Sequence, residues 1–560
     1  MFCDFIFCDA LQKVLPNAEP EGMKKAEAEG FGGETLCFQL AYRRHYCPEK
    51  EGPVLLPHTA KLSMEGDKRL TEHTEVFRAE LVPVTLPLYP DRSDEDYLFR
   101  EAQLAPDLLQ PLEGERIRMV PEQWRSLWFE VSMPEDLPAG DYPLTIRVED
   151  DDVIDWTGEI VLRKLPGVLP EQTLIRTEWF HADCLADYYA CEVFSEKHWT
   201  ILENFMQAAV RNGVNMLYCP IFTPPLDTAE GGERTTVQLL RIAADEGRYR
   251  FDFTLLDRWL DAAERAGIEY FEMAHLFTQW GARHAPKIMA EVNGELKQIF
   301  GWETDALSSA YKDFLYALIP ALKGHLQKRN CLEKTYFHIS DEPTEADLHS
   351  YRKAKELVEP LLRDCRVIDA LSDFAFYEKG LVEKPIPSSD HIEPFLQAGI
   401  PGLWTYYCCS QGVKVSNRFM AMPSRRNRMI GVQLYKYDIE GFLHWGFNFY
   451  NTQYSIRPVN PYLTTDAGGA FPSGDPFLVY PAADGTAHDS LRSRVFFAGL
   501  QDLRALRLLE GLRGRDFVLD LIDEETEAPL TFSAYPRTDQ YLLSLRKKVN
   551  RAIVEAAEKA

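Results

Sequence analysis

The sequence lacks the features by which membrane and secreted proteins are recognised. No segment approaches about 18 consecutive apolar residues, so we expect no transmembrane helix. The first ten residues contain no lysine or arginine, and Asp4 and Asp9 interrupt their apolar run, which is not the pattern of a secretory signal. We therefore expect a cytoplasmic protein.

Positive charge is scarce relative to negative charge. The chain has 61 Lys and Arg residues against 87 Asp and Glu residues, which gives a net charge of −26. Nucleic acids and anionic membranes both require a basic face on the protein that binds them. We expect neither as a partner, and the sequence gives no indication of an oligomeric state.

Several catalytic motifs are also missing. None of the eleven cysteines falls in a Cys-x-x-Cys pair, and there is no His-x-His pair of the kind used by metal-dependent barrel hydrolases. The Gly-x-Ser-x-Gly elbow, the Gly-x-Gly-x-x-Gly fingerprint and the P-loop are absent. The predicted strand ends offer no lysine for a Schiff base. We expect no metal and no cofactor. Carboxylate chemistry remains, and glycoside hydrolysis is its commonest form.

The chain is too long for one hydrophobic core, so we expect more than one domain in its 560 residues. Residues 1–170 contain short strand-like segments separated by Pro and Gly turns, for example 33–42, 125–131 and the alternating segment 143–148. This pattern predicts an N-terminal β-sandwich. The Pro-punctuated passage 165–170 predicts a linker at its end.

From residue 173 the pattern changes to strands that alternate with helices. Strands are predicted near 173–180, 214–221, 269–276, 335–340, 366–371, 389–392, 402–408 and 441–447, and helices at 196–211, 254–266, 307–328, 345–362, 424–436 and 491–511. Eight strands in this alternation predict a (β/α)8 TIM barrel over residues 171–513. A doubly wound sheet would alternate in the same way, but the Gly-rich phosphate loop after its first strand is missing. Residues 514–560 predict a short helical tail.

The most informative segment is residues 335–343, Thr-Tyr-Phe-His-Ile-Ser-Asp-Glu-Pro. A strand pattern ends in the adjacent carboxylates Asp341 and Glu342, and Pro343 interrupts the strand because it has no N–H to donate. In a β/α barrel this end of a strand lies on the catalytic face. Neighbouring strand residues point to opposite sides, so both acids can face one cavity only if the strand breaks.

Two close carboxylates repel each other, and the repulsion raises the pKa of one of them, which suits a general acid. The alternative is that the pair is only the acidic start of the helix that follows, where negative charge is favourable. The position at a strand end and the aromatic residues nearby favour the catalytic interpretation.

Other polar and aromatic residues fall at predicted strand ends and in the long loops after the second, third and eighth strands. Aromatic rings can contact the apolar face of a sugar, and polar side chains can bind its hydroxyls. The predicted substrate-binding residues are Trp179, His181, Asp227, His275, Trp280, His338, Tyr406, Trp445 and Asn448. Each could by itself be a core residue, so the hypothesis rests on the agreement of several strands.

Three segments together resemble the catalytic domain of glycoside hydrolase family 123, a group of mostly uncharacterised bacterial proteins. They are residues 338–343 with the helix that follows, residues 441–448 (Gly-Phe-Leu-His-Trp-Gly-Phe-Asn), and residues 474–481 with the downstream segments 490–492 and 501–504. The likeness covers most of the chain, including the sandwich that precedes the barrel in such proteins.

The resemblance implies a retaining β-N-acetylgalactosaminidase with substrate-assisted catalysis, in which the 2-acetamido oxygen of the substrate attacks the anomeric carbon. Glu342 would be the general acid and then the base. Asp341 would orient the acetamido group and stabilise it as it becomes an oxazolinium ion. The adjacency of the two acids agrees with this scheme, because an acid and a protein nucleophile must lie roughly 5 Å apart across the scissile bond.

Two alternatives stay open at this point. The protein could bind carbohydrate on the same fold without catalysis. It could also hydrolyse glycosides of sugars that lack an acetamido group, with Asp369 or Asp373 as the nucleophile.

Overall fold

The computed structural model describes residues 3–46, 57–150, 154–245 and 247–559, and the chain divides into two compact units. The first unit comprises Met1–Gln172, Ser416–Lys436 and His488–Ala560, and the second comprises Thr173–Val415 and Tyr437–Ala487. The first division, after residue 172, lies close to the domain end that we expected at 170. Residues 416–436 and 488–513, which we expected in the second domain, group with the first unit instead.

In the residues that the structure describes, the N-terminal segment of the first unit contains ten strands. They are β1 (Cys3–Asp9), β2 (Glu27–Gly32), β3 (Thr35–Arg44), β4 (His58–Glu65), β5 (Thr74–Val84), β6 (Gln103–Pro111), β7 (Arg116–Met119), β8 (Arg125–Ser132), β9 (Gly140–Glu149) and β10 (Asp155–Val168), with the short helix α1 (Lys68–Thr71) between β4 and β5. They form two five-stranded sheets, β1-β3-β8-β5-β6 and β2-β10-β9-β4-β7.

Both sheets contribute side chains to one hydrophobic core. Phe38 and Phe129 from the first sheet stack with ring centroids 4.8 Å apart, and Ile146 and Ile160 from the second sheet belong to the same cluster. In β9, buried and more exposed residues alternate, as expected for a strand with one face on the core. The alternating segment 143–148 therefore predicted β9, and the strand-like segments 33–42 and 125–131 correspond to β3 and β8.

The second unit is built on a curled parallel sheet with helices in its connections. Its strands are β11 (Ile175–Glu178), β12 (Met216–Cys219), β13 (Arg241–Asp245), β14 (Arg248–Asp252), β15 (Tyr270–Met273), β16 (Ile288–Val292), β17 (Glu295–Phe300), β18 (Thr335–Phe337), β19 (Arg366–Val367), β20 (Asp369–Ala370), β21 (Pro385–Ile386), β22 (Trp404–Tyr406), β23 (Gly441–His444) and β24 (Tyr480–Pro481). The seven-stranded parallel sheet has the order β19-β18-β15-β12-β11-β23-β22. Strands β20 and β21 pair separately, and β14-β13-β16-β17 form a four-stranded sheet that the sequence did not predict.

One predicted strand of this unit is wrong. Residues 389–391 form a turn, and the strand lies earlier, at Pro385–Ile386. The prolines at 385 and 387 mark a loop in sequence, but a proline is tolerated as the first residue of a strand.

The helices of the second unit are α2 (Ala182–Tyr188), α3 (Glu196–Arg211), α4 (Thr254–Ala266), α5 (Ser309–Lys328), α6 (Leu348–Leu362), α7 (Ala375–Glu378) and α8 (Glu393–Gln397). Local signals fix the ends of the longer ones. The Ser195 side chain caps α3 by accepting from the amide of His198, and Gly267 ends α4 with a φ of 104°.

Five helices of the later segments belong to the first unit. They are α9 (Ser424–Arg428), α10 (Ile430–Lys436), α11 (Leu491–Arg513), α12 (Arg515–Asp523) and α13 (Asp539–Ala557). Two buried ion pairs bind α11 to the sheet of this unit: Arg492 donates to Asp107, and Arg494 donates to Glu130. These pairs explain why residues 488–513 group with the N-terminal segment. In the described part of the chain, no helix combines the length and apolar character that a membrane span requires.

Candidate active site

A cavity of about 170 Å3 lies in the second unit, where the loops after several strands of the parallel sheet meet. It is lined by Trp179, Leu226, Asp227, Gln279, Trp280, Asp341, Glu342, Ala370, Tyr406, Cys408, Cys409, Leu443, Trp445, Gln453, Tyr454 and Phe471. Its lining combines aromatic and aliphatic side chains with carboxyl, amide and hydroxyl groups. This composition is typical of a site for a small, partly apolar ligand.

The two adjacent carboxylates reach this cavity because the strand that carries them ends early. β18 stops at Phe337, and the backbone then turns, with Glu342 in the left-handed region at a φ of 42°. The amide of Glu342 donates to the carbonyl of Ala370 (2.9 Å), and the Ser340 hydroxyl donates to the carbonyl of Thr278 (2.8 Å). The break that we predicted at Pro343 therefore occurs several residues earlier, and it brings both Asp341 and Glu342 to the cavity wall.

Asp369 supports this turn from behind the cavity wall. Its carboxylate accepts hydrogen bonds from the amides of Ile339 (2.9 Å) and Ser340 (3.3 Å), and also from the hydroxyl of Tyr351. The side chain is fully buried and does not line the cavity. Asp373 does not line it either, and its carboxylate accepts from the amide of Ala375. We considered both residues from the sequence as possible nucleophiles, but a nucleophile would have to line the cavity and neither does.

Burial and repulsion govern the protonation of the acidic pair. Burial raises the pKa of Glu342, and the hydrogen bond from the Tyr406 hydroxyl (2.5 Å) opposes that rise only in part. Burial and then the charge of Glu342 raise the pKa of Asp341, against the lowering effect of His338. The two carboxyl groups therefore keep a proton at a pH where isolated acids are both ionised.

A buried ion pair lies behind Asp341. Glu272, on β15, accepts hydrogen bonds from the Thr177 hydroxyl (2.6 Å), the Trp179 indole (2.8 Å) and Nε2 of His338 (2.5 Å). Nδ1 of His338 lies 3.4 Å from Asp369. Burial works to lower the pKa of His338, but the carboxylates of Asp369 and Glu272 outweigh it and raise the pKa to about 9. His338 is therefore a cation at neutral pH, and its charge lowers the pKa of Asp341.

Sequence reasoning missed Glu272, although a signal existed. The residue occupies an otherwise apolar strand, Tyr-Phe-Glu-Met, at 270–273. A charged residue inside a buried strand needs a specific partner, and here the partner is a histidine on the neighbouring strand end.

Five of the nine predicted substrate-binding residues line the cavity: Trp179, Asp227, Trp280, Tyr406 and Trp445. The other four, His181, His275, His338 and Asn448, are buried behind the wall and do not line it. These four residues form hydrogen bonds with groups that surround the cavity lining. We had expected them to contact the ligand directly.

His181 and Asn448 form one supporting pair. The amide of His181 donates to Oδ1 of Asn448 (2.9 Å), and the imidazole contacts the Trp445 carbonyl (2.9 Å) and the Arg234 guanidinium (3.0 Å). Burial and the Arg234 charge lower the pKa of His181 to about 3, so the ring is neutral. His181, at the start of α2, therefore contacts the backbone of the cavity-lining Trp445, and Asn448 contacts the backbone of His181.

His275 packs against the cationic His338. The two rings stack with centroids 4.3 Å apart, and Nδ1 of His275 lies 3.1 Å from the Tyr218 hydroxyl. Burial and then the His338 charge hold the pKa of His275 well below its usual range. His275 therefore stays neutral and acts as packing for the charged ring.

Asp227 joins two loops at the cavity mouth through hydrogen bonds. Its Oδ2 accepts from the amide of Tyr454 (3.0 Å), and its carbonyl accepts from the Ser455 hydroxyl (2.8 Å). Its own amide donates to Gln279 (2.7 Å), which lies beside Trp280. Burial raises the pKa of Asp227 to about 6, against the opposing charge of Arg234.

Several cavity residues had no sequence signal that set them apart. Tyr454 and Phe471 lie in a long connection far from the catalytic segment in sequence, and Cys408 and Cys409 follow β22, whereas Gln453 falls in the long loop after the eighth predicted strand. In the part of the chain that the structure describes, no cluster of three or more His, Cys, Asp and Glu residues is arranged to hold a metal ion.

Comparisons with known proteins place this site in a family. Residues 179–509 match the family model described as "Glycoside hydrolase 123, catalytic domain". No curated protein matches the chain.

Among solved structures, the chain is similar to a family 123 glycoside hydrolase from Clostridium perfringens, studied for glycolipid glycan hydrolysis. The TM-score is 0.75 and the identity 14%, over 100% of this chain and 99% of that one. A GH5 xyloglucanase of Bacteroides ovatus gives a TM-score of 0.31 at 10% identity, over 86% of this chain and 99% of that one. A protein of Bacteroides vulgatus gives a TM-score of 0.30 at 9% identity, over 87% of this chain and 79% of that one.

Proposed function

The chain belongs to glycoside hydrolase family 123, and we propose from this premise that it is a retaining β-N-acetylhexosaminidase of the N-acetylgalactosaminidase type, in which the substrate's acetamido group is the nucleophile. The observation that carries the proposal is the placement of two adjacent acids, Asp341 and Glu342, on the wall of one small cavity. The similar enzyme from Clostridium perfringens is described as acting on glycolipid glycans, which agrees with a sugar substrate of this class.

The geometry favours substrate assistance over a protein nucleophile. In a retaining enzyme with a protein nucleophile, two carboxylates face each other across the scissile bond at roughly 5 Å. Asp341 and Glu342 are sequence neighbours on one turn, so they approach a ligand from the same side. Asp369 and Asp373 do not line the cavity. Asp227 does, but its Oδ2 is held by the amide of Tyr454.

The roles of the two acids follow from their surroundings. Burial raises the pKa of both acids, and an acetamido N–H donated to Asp341 would favour the charge on that residue and leave the proton on Glu342. Glu342 then protonates the leaving oxygen while the acetamido oxygen attacks the anomeric carbon. Asp341, backed by the His338 cation, stabilises the oxazolinium ion. Glu342 finally takes a proton from the attacking water, and the anomeric configuration is retained.

We also propose that the curled sheet is the wall of a (β/α)8 barrel and that the two sheets of the first unit form a β-sandwich. Support for the barrel comes from the pairings beyond the seven-stranded sheet. β20 pairs with β21 in parallel, and Ser388, just after β21, forms a parallel bridge with Tyr406 on β22. The core shared by the two sheets of the first unit supports the sandwich.

A leaving-group comparison tests the proposed acid. Glu342→Gln should lower kcat/KM by about 10²–10⁴-fold on a 2-acetamido glycoside with an alkyl or sugar leaving group. The loss should be smaller with a nitrophenyl leaving group, which needs little protonation. The matched control is Glu345→Gln, an exposed glutamate three residues further along the chain, which should have no effect. Equal losses on both substrates would show that Glu342 is not the acid.

A substrate panel separates the alternative functions. The proposed enzyme hydrolyses nitrophenyl 2-acetamido-β-glycosides and leaves plain β-galactosides intact. Hydrolysis of plain galactosides would favour a different glycosidase. Sugar binding without any hydrolysis, unchanged in Glu342→Gln, would favour a non-catalytic carbohydrate-binding protein.

A further inference from the structure

Two adjacent cysteines line the cavity beside the acidic pair. Cys408 and Cys409 are the one place in the sequence where two cysteines are neighbours. Both carry thiols, both are half-buried, and both line the cavity together with Asp341 and Glu342. They follow β22, whose last residue, Tyr406, donates its hydroxyl to Glu342. The two cysteines, here called the thiol pair, therefore lie at the wall of the catalytic cavity, and the proposed mechanism uses neither of them.

Hydrogen bonds hold the turn that carries the thiol pair. Oε1 of Gln411 accepts from the amide (2.9 Å) and from the thiol (3.3 Å) of Cys408. Nε2 of Gln411 donates to Oδ1 of Asp390 (3.0 Å), so both ends of this side-chain amide are engaged. The thiol of Cys409 lies 3.9 Å from the Ser410 hydroxyl. The positions of the two sulfur atoms are therefore set by the turn after β22.

The surroundings of Cys408 keep its proton in place. The hydrogen bond with the Cys409 thiol, then burial, and then the charge of Glu342 raise the pKa of Cys408 well above its usual range. Alkylating agents attack the thiolate, so a thiol that stays protonated reacts slowly with them. The contact between the two thiols also places both sulfur atoms within reach of one bound atom. The thiol pair therefore suits a reagent that bridges two sulfurs and takes up both protons.

The adjacency of the two cysteines limits what can join their sulfur atoms. Neighbouring Cα atoms are about 3.8 Å apart, whereas a disulfide usually spans about 4.4–6.8 Å between its Cα atoms, so a direct bond is disfavoured. An atom inserted between the sulfurs widens the ring. Structural zinc takes four ligands, and in the described residues no cluster of three or more His, Cys, Asp and Glu is arranged for a metal ion. The partner that fits is an atom that needs only two sulfur ligands.

We propose that Cys408 and Cys409 form a binding site for a monosubstituted trivalent arsenical. Arsenic in such a compound has three bonds, one to its carbon substituent and two that sulfur can take, and soft sulfur ligands favour soft acceptors. The thiol pair condenses with the organoarsenic oxide. Two S–H bonds and the arsenic–oxygen bond break, two As–S bonds form, and the oxygen leaves as water with both protons. No electrons are transferred, and arsenic stays trivalent.

The organic substituent on the arsenic should occupy the catalytic cavity. The cavity has a volume of about 170 Å3, and Trp445, Tyr454 and Phe471 are among the residues that line it. An apolar protein cavity of about 150 Å3 can hold benzene, so a phenyl group fits this space. A phenyl group there leaves no room for a sugar ring beside Asp341 and Glu342. Occupation of the thiol pair should therefore stop hydrolysis.

Phenylarsine oxide and intact-mass spectrometry test the site. One equivalent should add one phenylarsenic group to the wild-type protein, with the loss of one water molecule. The adduct should survive an excess of the monothiol 2-mercaptoethanol, because attachment through two linked sulfurs strengthens binding by about 10²–10⁴-fold. The dithiol dithiothreitol should remove it.

Three serine variants identify the residues that bind. Cys408→Ser and Cys409→Ser should each need about 10²-fold more reagent for the same adduct, and 2-mercaptoethanol should then remove it. The matched control is Cys191→Ser, because Cys191 is also half-buried but does not line the cavity, and this variant should behave as wild type. Thermal unfolding verifies that the variants fold, and either of the first two decides the result if the other is unstable.

Hydrolysis of a nitrophenyl 2-acetamido glycoside is measured on the same samples. Activity of the wild type should fall in proportion to the adduct and return with dithiothreitol. No adduct on the wild type, a monothiol-resistant adduct on either cavity variant, or an adduct that leaves hydrolysis intact would overturn the proposed site. The mass measurement requires no activity. Wild-type protein that hydrolyses no acetamido glycoside would therefore overturn the proposed function, while the adducts on the wild type and the variants would still decide the thiol site.

Discussion

Removing the charge of Glu272 should change the stability of the protein in a pH-dependent way. Glu272 accepts hydrogen bonds from Thr177, Trp179 and His338 inside the second unit, and it is fully buried. Glu272→Gln keeps nearly the same shape and removes the negative charge. The His338 cation then has only Asp369 as an acidic partner at 3.4 Å.

The magnitude follows from the pKa of His338. Burial lowers this pKa, but the carboxylates of Asp369 and Glu272 raise it to about 9 from an ordinary value of 6.5. That difference corresponds to about 3 kcal/mol of stabilisation of the protonated, folded form. Because the pKa is raised in the folded state, the contribution is complete below about pH 6.5 and is lost as the pH rises through about 9. At pH 6.5, Glu272→Gln should therefore be less stable than wild type by about 2–3 kcal/mol, and the gap should narrow by pH 9.5.

Urea unfolding at the two pH values measures this gap. The control is Glu130→Gln in the first unit, because Glu130 is also buried and accepts from an indole, that of Trp128, and from a cation, Arg494. Arginine stays charged throughout this range, so the loss in Glu130→Gln should be the same at both pH values. A loss in Glu272→Gln that is equally independent of pH would refute the charge network that we describe around His338.

Two further predictions concern the acid and the first unit. Tyr406→Phe removes the hydroxyl that lowers the pKa of Glu342. Because Glu342 acts in its protonated form, the alkaline limb of the kcat/KM profile should move to higher pH, and movement to lower pH would contradict its role. Residues 1–170 produced alone should not fold, because Asp107 and Glu130 would lose the arginines that α11 supplies. Circular dichroism and thermal unfolding measure this, and a cooperative unfolding transition would contradict the prediction.

Sequence reasoning succeeded where local signals determine structure. Helices α3 and α4 were predicted with the bounds that the structure has, because a capping serine begins the first and a glycine with positive φ ends the second. Contacts with distant partners leave no such signal. α11 was predicted within the second domain, and the catalytic-domain family model also reaches residue 509, but α11 groups with the first unit, where Arg492 pairs with Asp107. No periodic pattern contains that information.

The candidate site likewise has features that the sequence predicted and features that it did not. The family resemblance, drawn from residues 338–343 and 441–448, is confirmed by the family model. The aromatic residues at strand ends were found because strand ends in a parallel sheet meet at one edge. Ligand binding by the histidines stays a prediction: His181 and His275 have the same sequence environment as a ligand-binding residue, and the structure places them buried outside the cavity lining. Tyr454 was missed because nothing in its loop marks it as a neighbour of Trp280.

The central claim is that the acetamido group of the substrate, and not a side chain, attacks the anomeric carbon. A thiazoline analogue of the bicyclic intermediate imitates the species that this site should bind most tightly. Its competitive inhibition constant against a nitrophenyl 2-acetamido glycoside is therefore the most direct measurement, made in wild type and in Asp341→Asn.

We predict an inhibition constant far below the KM of the substrate in wild type. Asp341→Asn should weaken inhibition by about 10²-fold or more, because the amide lacks the charge that stabilises the oxazolinium-like form. Wild-type protein that hydrolyses the glycoside but is not inhibited by the thiazoline would contradict the claim, and the nucleophile would then be sought on the protein, beginning with Asp227.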